Sequence, residues 1–377
     1  MGIALTDDAF RGISPRSTRR PYSRSQTPSA LSFNSWGSFV ANRLDFQSLS
    51  LTRSEARVIG TGVAGWLVIN ASFWRLANGY LPFDRPRMVG MPFTLQAGLP
   101  SLGLIEQLAL MVLVWGMTRR RVPFDMAGRA PDVSQCWAET LGTIGYSMLA
   151  QVGGWIVGPA LGYRPFSFHL AGSMVGCSTP PTPGEALVWA SYNFLVFAVV
   201  PYLYFRRSYS DRRLNLVSSD PRNDRRVILT VLTVESAIQL AAMPWIFKMT
   251  LPAFLMAAPI AFVVFLFGTV LPTMILVYAV LLPRYLKLTG SPALTVMLGG
   301  LTYALMHLVE GWSSFRTPHD MALSVIFVFV SYTGPGMFKS FVTLRTGNAW
   351  VHAIGYHAIA PHVIVDTPLV AKIFRLG

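Results

Sequence analysis

The residues of this sequence best suited to chemistry are histidines, and four of the six lie in two apolar stretches near the C-terminus. They are His307, His352, His357 and His362. A neutral imidazole is a common ligand for zinc and other transition metals, and it is also an effective general base. The four histidines are therefore candidate ligands for a zinc-like divalent metal, whose identity the residues leave open.

A carboxylate lies close to the first of these histidines in sequence. Glu310 follows His307 by three residues, and Tyr303 precedes His307 by one helical turn. Residues three or four apart share one face of an α-helix. We take His307, His357 and Glu310 as candidate catalytic residues, with Glu310 as the base. The competing interpretation is that these side chains hydrogen-bond neighbouring helices or line a water-filled cavity.

The last three histidines have an unusual spacing of five residues. On a straight α-helix each is rotated by about 140° from the one before, so they cannot all face one point. Pro361 lies among them, where it can interrupt the helix and change this geometry.

Three further carboxylates lie within other apolar stretches. Glu106 and Glu235 are isolated in sequence, and we interpret them as carboxyl groups that join two helices. Glu139 lies near the end of its stretch, so we expect it to reach the water of the lipid headgroup region.

The composition indicates the environment of these side chains. Charged residues make up 13% of the chain, against about 25% in soluble domains. Hydrophobic residues make up 52% and mean hydropathy is +0.45. We therefore predict an all-α polytopic membrane helix bundle of eight to nine transmembrane helices embedded in a lipid bilayer. Nine stretches are candidates: 58–79, 95–117, 136–161, 185–205, 227–247, 251–282, 291–311, 320–338 and 347–370. The sixth is too long for one straight span, and we expect a kink at Pro272.

The net charge of +14 is concentrated in particular loops. Basic residues follow the second, fourth, sixth and eighth stretches, namely Arg119 to Arg121, Arg206 to Arg226, Arg284 with Lys287, and Lys339 with Arg345. This alternation predicts a multi-pass integral membrane protein with its N-terminus on the cytoplasmic or matrix/stromal side. We expect anionic lipid headgroups at the basic loops and no nucleic acid as a partner, since the arginines adjoin apolar runs.

Residues 1–57 form a basic N-terminal arm rich in Ser, Arg and Pro. We expect it to be disordered and to lie against anionic lipid. A cleaved transit peptide has the same composition, and the start at Met1 and Gly2 fits a loose myristoylation pattern. The two cysteines, Cys136 and Cys177, exclude a disulfide-rich scaffold and a Cys₄ zinc site, and we expect them on opposite faces.

Motifs in about residues 225–370 resemble those of one membrane protein family. The run Leu281-Leu282-Pro283-Arg284 leads to a turn and then to Tyr303-Ala304-Leu305-Met306-His307. Further on, His357 is followed by Pro361. This order is similar to the CPBP family of intramembrane peptidases, which contains CAAX prenyl endopeptidases and bacteriocin-processing or immunity proteins. The resemblance matches Tyr303 and His307 to the Phe-x-x-x-His motif, and His357 to the histidine of His-x-x-x-Asn. It also implies a division into transmembrane helices and basic loops over 58–224 and a CPBP-like core over 225–377.

When the matched motifs are aligned, this sequence departs from the family at the Glu-Glu-x-x-x-Arg motif. The two glutamates would fall at Met274 and Ile275, and the arginine at Ala279. In the family those glutamates are thought to activate the attacking water, while the histidines help to bind it or a metal. Glu310 or Glu235 would have to substitute for them in an active enzyme.

These patterns leave several functions open. The first is a non-catalytic relative that acts as a binding or scaffold subunit of a membrane complex with a partner protein. The second is an active intramembrane peptidase, metal-dependent or glutamate-assisted, that uses His307, His357 and Glu310. A His-ligated metal or cofactor protein is a third, and a transporter with a proton relay is a fourth.

Overall fold

The computed structural model describes residues 52–83, 91–169, 181–309 and 312–376. Within these ranges the regular structure is entirely helical, which confirms the all-α prediction. Residues 1–51 of the predicted arm, Glu310 and Cys177 lie outside the described residues, and the predictions made for them stand untested. Cys136 is buried and its thiol is free.

Nine long helical segments follow one another in the described ranges, and each overlaps one predicted stretch, with ends that differ by up to eight residues. They are α1 Arg53–Ala77, α2 Phe93–Thr118, α3 Val133–Ala160, α4 Pro183–Arg206, α5 Pro221–Ala242, α6 Leu251–Thr289, α7 Pro292–Met306, α8 Pro318–Thr346 and α9 over residues 350–374. Short 3₁₀ turns cover Ala127–Arg129 and Pro244–Lys248. The described helices belong to one compact unit.

Five of the described helices, α1, α2, α4, α6 and α8, are long and apolar enough to cross a membrane. Their outer faces carry large apolar side chains that the protein itself does not cover, such as Val68, 65% exposed, and Val112, 67% exposed. Leu149 on α3 is 74% exposed. Continuous apolar surface of this kind is rare on soluble monomers and fits contact with a bilayer. The count of eight to nine spans stays a prediction.

Side-chain caps determine where the helices begin. Thr52 and Glu55 form a reciprocal capping box that starts α1 at Arg53, five residues before the predicted start of the first stretch. Thr182 and Glu185 do the same for α4. A Ser, Thr or Asp side chain starts five of the other helices, through Asp132, Asp220, Thr250, Ser291 and Thr317.

Three of the long helices contain π-helical segments close to prolines. They are Phe194–Val199 in α4, Leu266–Val270 and Met274–Leu281 in α6, and Ala353–Ile364 in α9. A proline has no backbone N–H to donate, and a wider turn accommodates the loss. At Pro272 the helix therefore continues through π turns on both sides.

The helices α7 and α8 form an antiparallel pair in close contact. A Cβ atom added at Gly300 would lie 2.5 Å from the Cγ atom of Met337 and 2.7 Å from the carbonyl oxygen of Thr333. One added at Gly336 would lie 2.6 Å from the Cβ atom of Tyr303. Small residues at these positions allow the two backbones to approach, as is common between membrane helices.

The basic loops after α2, α4 and α8 meet at one end of the bundle. Arg121 forms a buried ion pair with Asp224, whose carboxylate also accepts a hydrogen bond from Asn348 Nδ2 at 2.9 Å. Arg129 donates to Asn215 Oδ1 at 2.5 Å and to the carbonyl oxygen of Gly347 at 2.8 Å. The shared end fits the predicted alternation of basic loops. Which side of a membrane it faces stays a prediction.

Burial affects the electrostatics of this end. Desolvation of Arg129 and the nearby charge of Arg212 lower the pKa of Arg129 to about 10, and Asp125 opposes the change. The guanidinium therefore remains charged at neutral pH and holds its loop in place.

The structure corrects the assignment of two residues to a loop after the eighth stretch. Lys339 and Arg345 lie inside α8, which continues to Thr346 and ends at Gly347 with a φ of 65°. Arg345 is buried and donates from Nε to Thr118 Oγ1 at 2.9 Å. In the same way, Arg284 and Lys287 lie inside α6, which continues to Thr289.

We call the end of the bundle at which the basic loops meet the arginine-rich end. Several arginines remain exposed there and are free to contact lipid headgroups. They are Arg119, Arg120, Arg207, Arg212, Arg222, Arg225 and Arg226. The expected contact with anionic lipid is compatible with their exposure and stays a prediction.

The close contact of α7 and α8 leads to a first prediction. Gly300→Ala should destabilise the protein by about 1–3 kcal/mol, because the added methyl group meets backbone as well as side-chain atoms. Gly98→Ala in α2 is the matched control, since nothing lies within 4 Å of its added Cβ. Thermal unfolding of the two purified variants measures the difference. Equal melting temperatures would contradict the packing described.

Candidate functional site

His307 lies directly after α7 and is fully buried. Its Nδ1 donates to the carbonyl oxygen of Tyr303 at 2.7 Å, since a carbonyl can only accept. Its Nε2 is therefore the unprotonated acceptor, and it has no hydrogen-bond partner among the described residues. The hydrogen bond to Tyr303 therefore holds the imidazole in one tautomer.

His357 approaches the same tyrosine from α9. Its Nε2 lies 3.3 Å from the hydroxyl oxygen of Tyr303. The Tyr303 ring centroid is 4.4 Å from that of His307 and 6.0 Å from that of His357. The structure thus brings together the three residues matched to the family motifs.

The π-helical turns of α9 change the geometry expected for histidines five residues apart. In a π-helix the backbone hydrogen bonds join residues five apart, so such residues become neighbours. The ring centroids of His357 and His362 are 5.2 Å apart. His362 Nδ1 is 2.9 Å from Asp366 Oδ2, and its ring stacks on Phe265 at 4.2 Å.

His352, near the start of α9, packs against α6. Its ring makes an edge contact with Tyr278 at 4.2 Å between centroids. Both of its ring nitrogens are buried and have no hydrogen-bond partner among the described residues.

Three residues near Tyr303, His307 and His357 were not predicted from the sequence as part of the site. His169 lies 4.2 Å from His307 between ring centroids, and Tyr332 stacks on His307 at 4.0 Å. The third is Lys339, whose Nζ lies 3.7 Å from the Tyr303 ring centroid. The sequence did contain a signal for Lys339, because this lysine ends an apolar run and helix-forming residues continue after it to Gly347.

Hydrogen bonds to its flanking residues hold the His169 segment in place. Ser167 Oγ donates to the carbonyl oxygen of Val309 at 2.6 Å. The carbonyl oxygen of Phe168 accepts from Trp189 Nε1 at 3.1 Å and from Asn193 Nδ2 at 2.5 Å. Long-range contacts of this kind have no periodic signal in the sequence.

The three positions at which the CPBP register would place two glutamates and an arginine lie in apolar surroundings. Met274, Ile275 and Ala279 are all buried in the π-helical part of α6, within a cluster of apolar side chains. The segment Met274–Leu281 itself carries no carboxylate.

The alternative carboxylate Glu235 is engaged away from the histidines. It is hydrogen-bonded to Glu106 and accepts from Gln239 Nε2 at 2.8 Å. A hydrogen bond between two carboxyl groups requires a proton on one of them. The pair joins α5 to α2, in agreement with the interpretation of both residues as helix-joining groups.

A metal at the histidines would need at least three protein ligands. In the described part of the chain, no three His, Cys, Asp or Glu residues are grouped to hold an ion. The described side chains alone do not fit a zinc site, and His307 Nδ1 is already used in its hydrogen bond to the carbonyl oxygen of Tyr303. The metal set His307, His352, His357 and His362 stays a prediction, as does any contribution from Glu310.

A second polar group lies near the arginine-rich end, between α3 and α6. Glu139 forms an ion pair with the buried Arg284 and accepts from Tyr209 Oη at 2.7 Å and Gln135 Nε2 at 2.8 Å. The side chain of Glu139 is 13% exposed, and its expected contact with headgroup water stays a prediction. Burial and the hydrogen bond to Glu139 raise the pKa of Tyr209 to about 12.

This group borders a cavity of about 480 Å³. Its lining includes Gln135, Glu139, Tyr146, Tyr204, Phe205 and Leu276. The Arg284 guanidinium lies 4.8 Å from the Phe205 ring centroid and 4.9 Å from that of Tyr209. The ion pair and these rings therefore hold together α3, α6 and the end of α4.

Comparisons with protein-family models, with curated proteins and with solved structures find no match to this chain. The similarity to the CPBP family therefore depends on the motif residues alone.

The Glu139 group leads to a second prediction. Glu139→Gln should destabilise the protein by about 3 kcal/mol, because it leaves the buried Arg284 without its counter-charge. Asp211→Asn is the control. The Asp211 pair with Arg206 has side chains 37% and 45% exposed, and its loss should cost less than about 1 kcal/mol. Thermal unfolding measures the stability that each of the two variants loses. Equal losses of stability would rule out a structural role for the buried pair.

Proposed function

We propose that this chain is a CPBP-like integral membrane protein that acts as a non-catalytic binding or scaffold subunit of a membrane complex. One observation carries the proposal. Met274, Ile275 and Ala279, which take the positions of the catalytic glutamates and the arginine, are buried apolar residues in a carboxylate-free part of α6. Hydrolysis of a peptide bond needs a base beside the attacking water, and these positions offer none.

The carboxylates of the described interior support the same conclusion. Asp366 is hydrogen-bonded to His362, and Glu235 is hydrogen-bonded to Glu106. His307 and His357 instead meet the phenol of Tyr303, and the ring of Tyr303 is contacted by Lys339. Neither of these two neighbours is a carboxylate that could activate water.

The arginine-rich end suits the docking of a partner. Its loops are held by Arg121 and Asp224 and by Arg129 and Asn215. Several arginines remain exposed around these contacts. A rigid cationic surface binds an acidic partner or a lipid headgroup without a large ordering cost.

A hydrolase is the second candidate, and the meeting of His307 and His357 at Tyr303 favours it. In that case the two histidines would hold the water, and Glu310 would act as the base. A His-ligated metal protein is the third candidate, in which His307, His352, His357 and His362 supply ligands.

Complementation of a gene deletion in the source organism separates these functions. A chain carrying His307→Ala, His357→Ala and Glu310→Gln should restore the phenotype to within about twofold of the unchanged protein if binding is the function. Loss of an acid–base group would lower a hydrolase by about 10²–10⁴-fold. His319→Ala, at an exposed histidine near the start of α8, is the control.

Two measurements on the purified proteins complete the test. Thermal unfolding must show that the triple variant remains folded, and a folded variant that fails to complement would overturn the binding proposal. Elemental analysis of the unchanged protein should find no stoichiometric transition metal. About one metal per chain, lost in the histidine variant, would favour the metal protein instead.

A further inference from the structure

The cavity of about 480 Å³ lies between two points at which α3 is hydrogen-bonded to the antiparallel segment of α4. At the arginine-rich end, Tyr209 Oη, just after α4, donates to Glu139 Oε1 at 2.7 Å. Further along α3, Tyr146 Oη donates to the carbonyl oxygen of Val196 at 2.6 Å. Glu139 and Tyr146 are seven residues apart, which corresponds to about 10 Å along a helix. The two hydrogen bonds therefore enclose a short gap between the helices.

Small side chains leave this gap open. Ala138 and Gly142 of α3 line the cavity, and both are exposed at the surface of the bundle. A Cβ atom added at Gly142 meets nothing within 4 Å. Val200 lines the opposite wall and is 50% exposed, and Leu276 of α6 also lines the cavity. The cavity therefore opens through the side of the bundle, where neighbouring apolar faces contact lipid.

A buried hydroxyl group without a protein partner lines the cavity. Thr143 is 6% exposed, and its hydroxyl forms no hydrogen bond with the described part of the chain. Other buried threonines of this bundle donate to the carbonyl oxygen four residues earlier. Thr118 does so to Val114 at 2.7 Å, and Thr343 to Lys339 at 2.9 Å. Because buried polar atoms without protein partners commonly bind water or a ligand, the Thr143 hydroxyl is available to a molecule in the cavity.

The charge at the cavity wall is already balanced. Among the described residues that line it, only Glu139 is charged, and Arg284 forms an ion pair with it. A further charge brought into this site would lose its hydration without gaining a partner, so an uncharged ligand is favoured. Glu139 and Thr143 lie one turn apart on the same face of α3. A hydroxyl group between them can donate to the carboxylate and accept from the threonine.

The dimensions of the cavity favour a lipid over a partner helix. Its volume lies within the range of about 300–1,000 Å³ that is usual for small-ligand sites. A transmembrane helix crosses about 30 Å of hydrocarbon, which is much longer than the gap between the two hydrogen bonds. A hydrocarbon chain is narrow and flexible enough to enter such a gap from the side.

We propose that the cavity between α3 and α4 binds an uncharged lipid that carries a hydroxyl group. The hydroxyl group lies between Glu139 and Thr143, and the hydrocarbon chain lies over Gly142 against Val200 and Leu276. None of the described lining residues is a histidine, so this site is separate from the histidine cluster. The proposal goes beyond the proposed function and does not depend on it.

Binding of lipids to the purified full chain in phosphatidylcholine nanodiscs tests the proposal, since phosphatidylcholine has no hydroxyl group. The probes are mono-oleoylglycerol, methyl oleate and phosphatidylglycerol, and the readouts are the melting temperature and the dissociation constant. Mono-oleoylglycerol should raise the melting temperature in a saturable manner. It should bind about fivefold more tightly than methyl oleate, which has the same chain without a hydroxyl group.

Three results with these probes would overturn the proposal. Equal binding of mono-oleoylglycerol and methyl oleate would show that the hydroxyl group is not recognised. Tighter binding of phosphatidylglycerol than of mono-oleoylglycerol would assign the binding to an anionic headgroup at the exposed arginines. Absence of any shift with mono-oleoylglycerol would show that the cavity takes no such lipid.

A variant that fills the cavity locates the binding. Gly142→Phe should weaken the binding of mono-oleoylglycerol at least about tenfold, because its ring occupies the place of the chain. Gly116→Phe in α2 is the matched control, since a Cβ added there also meets nothing within 4 Å and Gly116 does not line the cavity. Binding that is equally strong in the two variants lies elsewhere and contradicts the proposal.

Variants of Thr143 distinguish a binding hydroxyl from a structural one. Thr143→Val keeps the shape of the side chain, so the melting temperature without probe should not fall, whereas binding should weaken about fivefold. Thr143→Ser keeps the hydroxyl and should retain binding. A lower melting temperature of probe-free Thr143→Val would show that the hydroxyl serves the fold. Unchanged binding in this variant would show that the hydroxyl does not contact the lipid, and either result contradicts the proposal.

Discussion

The close approach of α7 and α8 is the constraint on which the rest of the interior depends. Gly300 and Gly336 leave no room for a side chain between the two helices. Their contact places Tyr303 beside Lys339 and directs His307 against Tyr332. In a membrane, where lipid is as apolar as leucine, small residues and interhelical polar contacts are what hold helices together. The same contact that joins this pair therefore also assembles its polar interior.

The second feature of the interior is the use of π-helical turns. In α9 they bring His357 and His362 together although the residues are five apart, and in α6 they surround Pro272. Such turns are uncommon and often lie at functional sites. Here they convert a spacing that would scatter side chains around an α-helix into a row of neighbours. The polar groups so aligned are His357, His362 and Asp366.

Much of the fold could be predicted from the sequence, because apolar length and charge act locally. All nine predicted stretches correspond to helices, and the carboxyl groups of Glu106 and Glu235 join two helices as expected. The errors are at helix ends. Lys339 was assigned to a loop because a charge normally ends a membrane helix, but α8 continues to its cap at Gly347. Nothing in the sequence indicated that Glu139 pairs with Arg284, which lies 145 residues away.

By itself, the sequence determined the helical class, the apolar surface and the clustering of basic residues after the second and fourth apolar stretches. These properties follow from the composition of each segment and from the spacing of its apolar residues, and neither depends on the other segments. It also identified Tyr303, His307 and His357 as one group through their similarity to family motifs. Only the tertiary structure decided that His169 and Lys339 join this group and that His352 lies against Tyr278. Such contacts depend on how closely two helices approach and on where a helix widens, and both are outcomes of packing between segments distant in sequence.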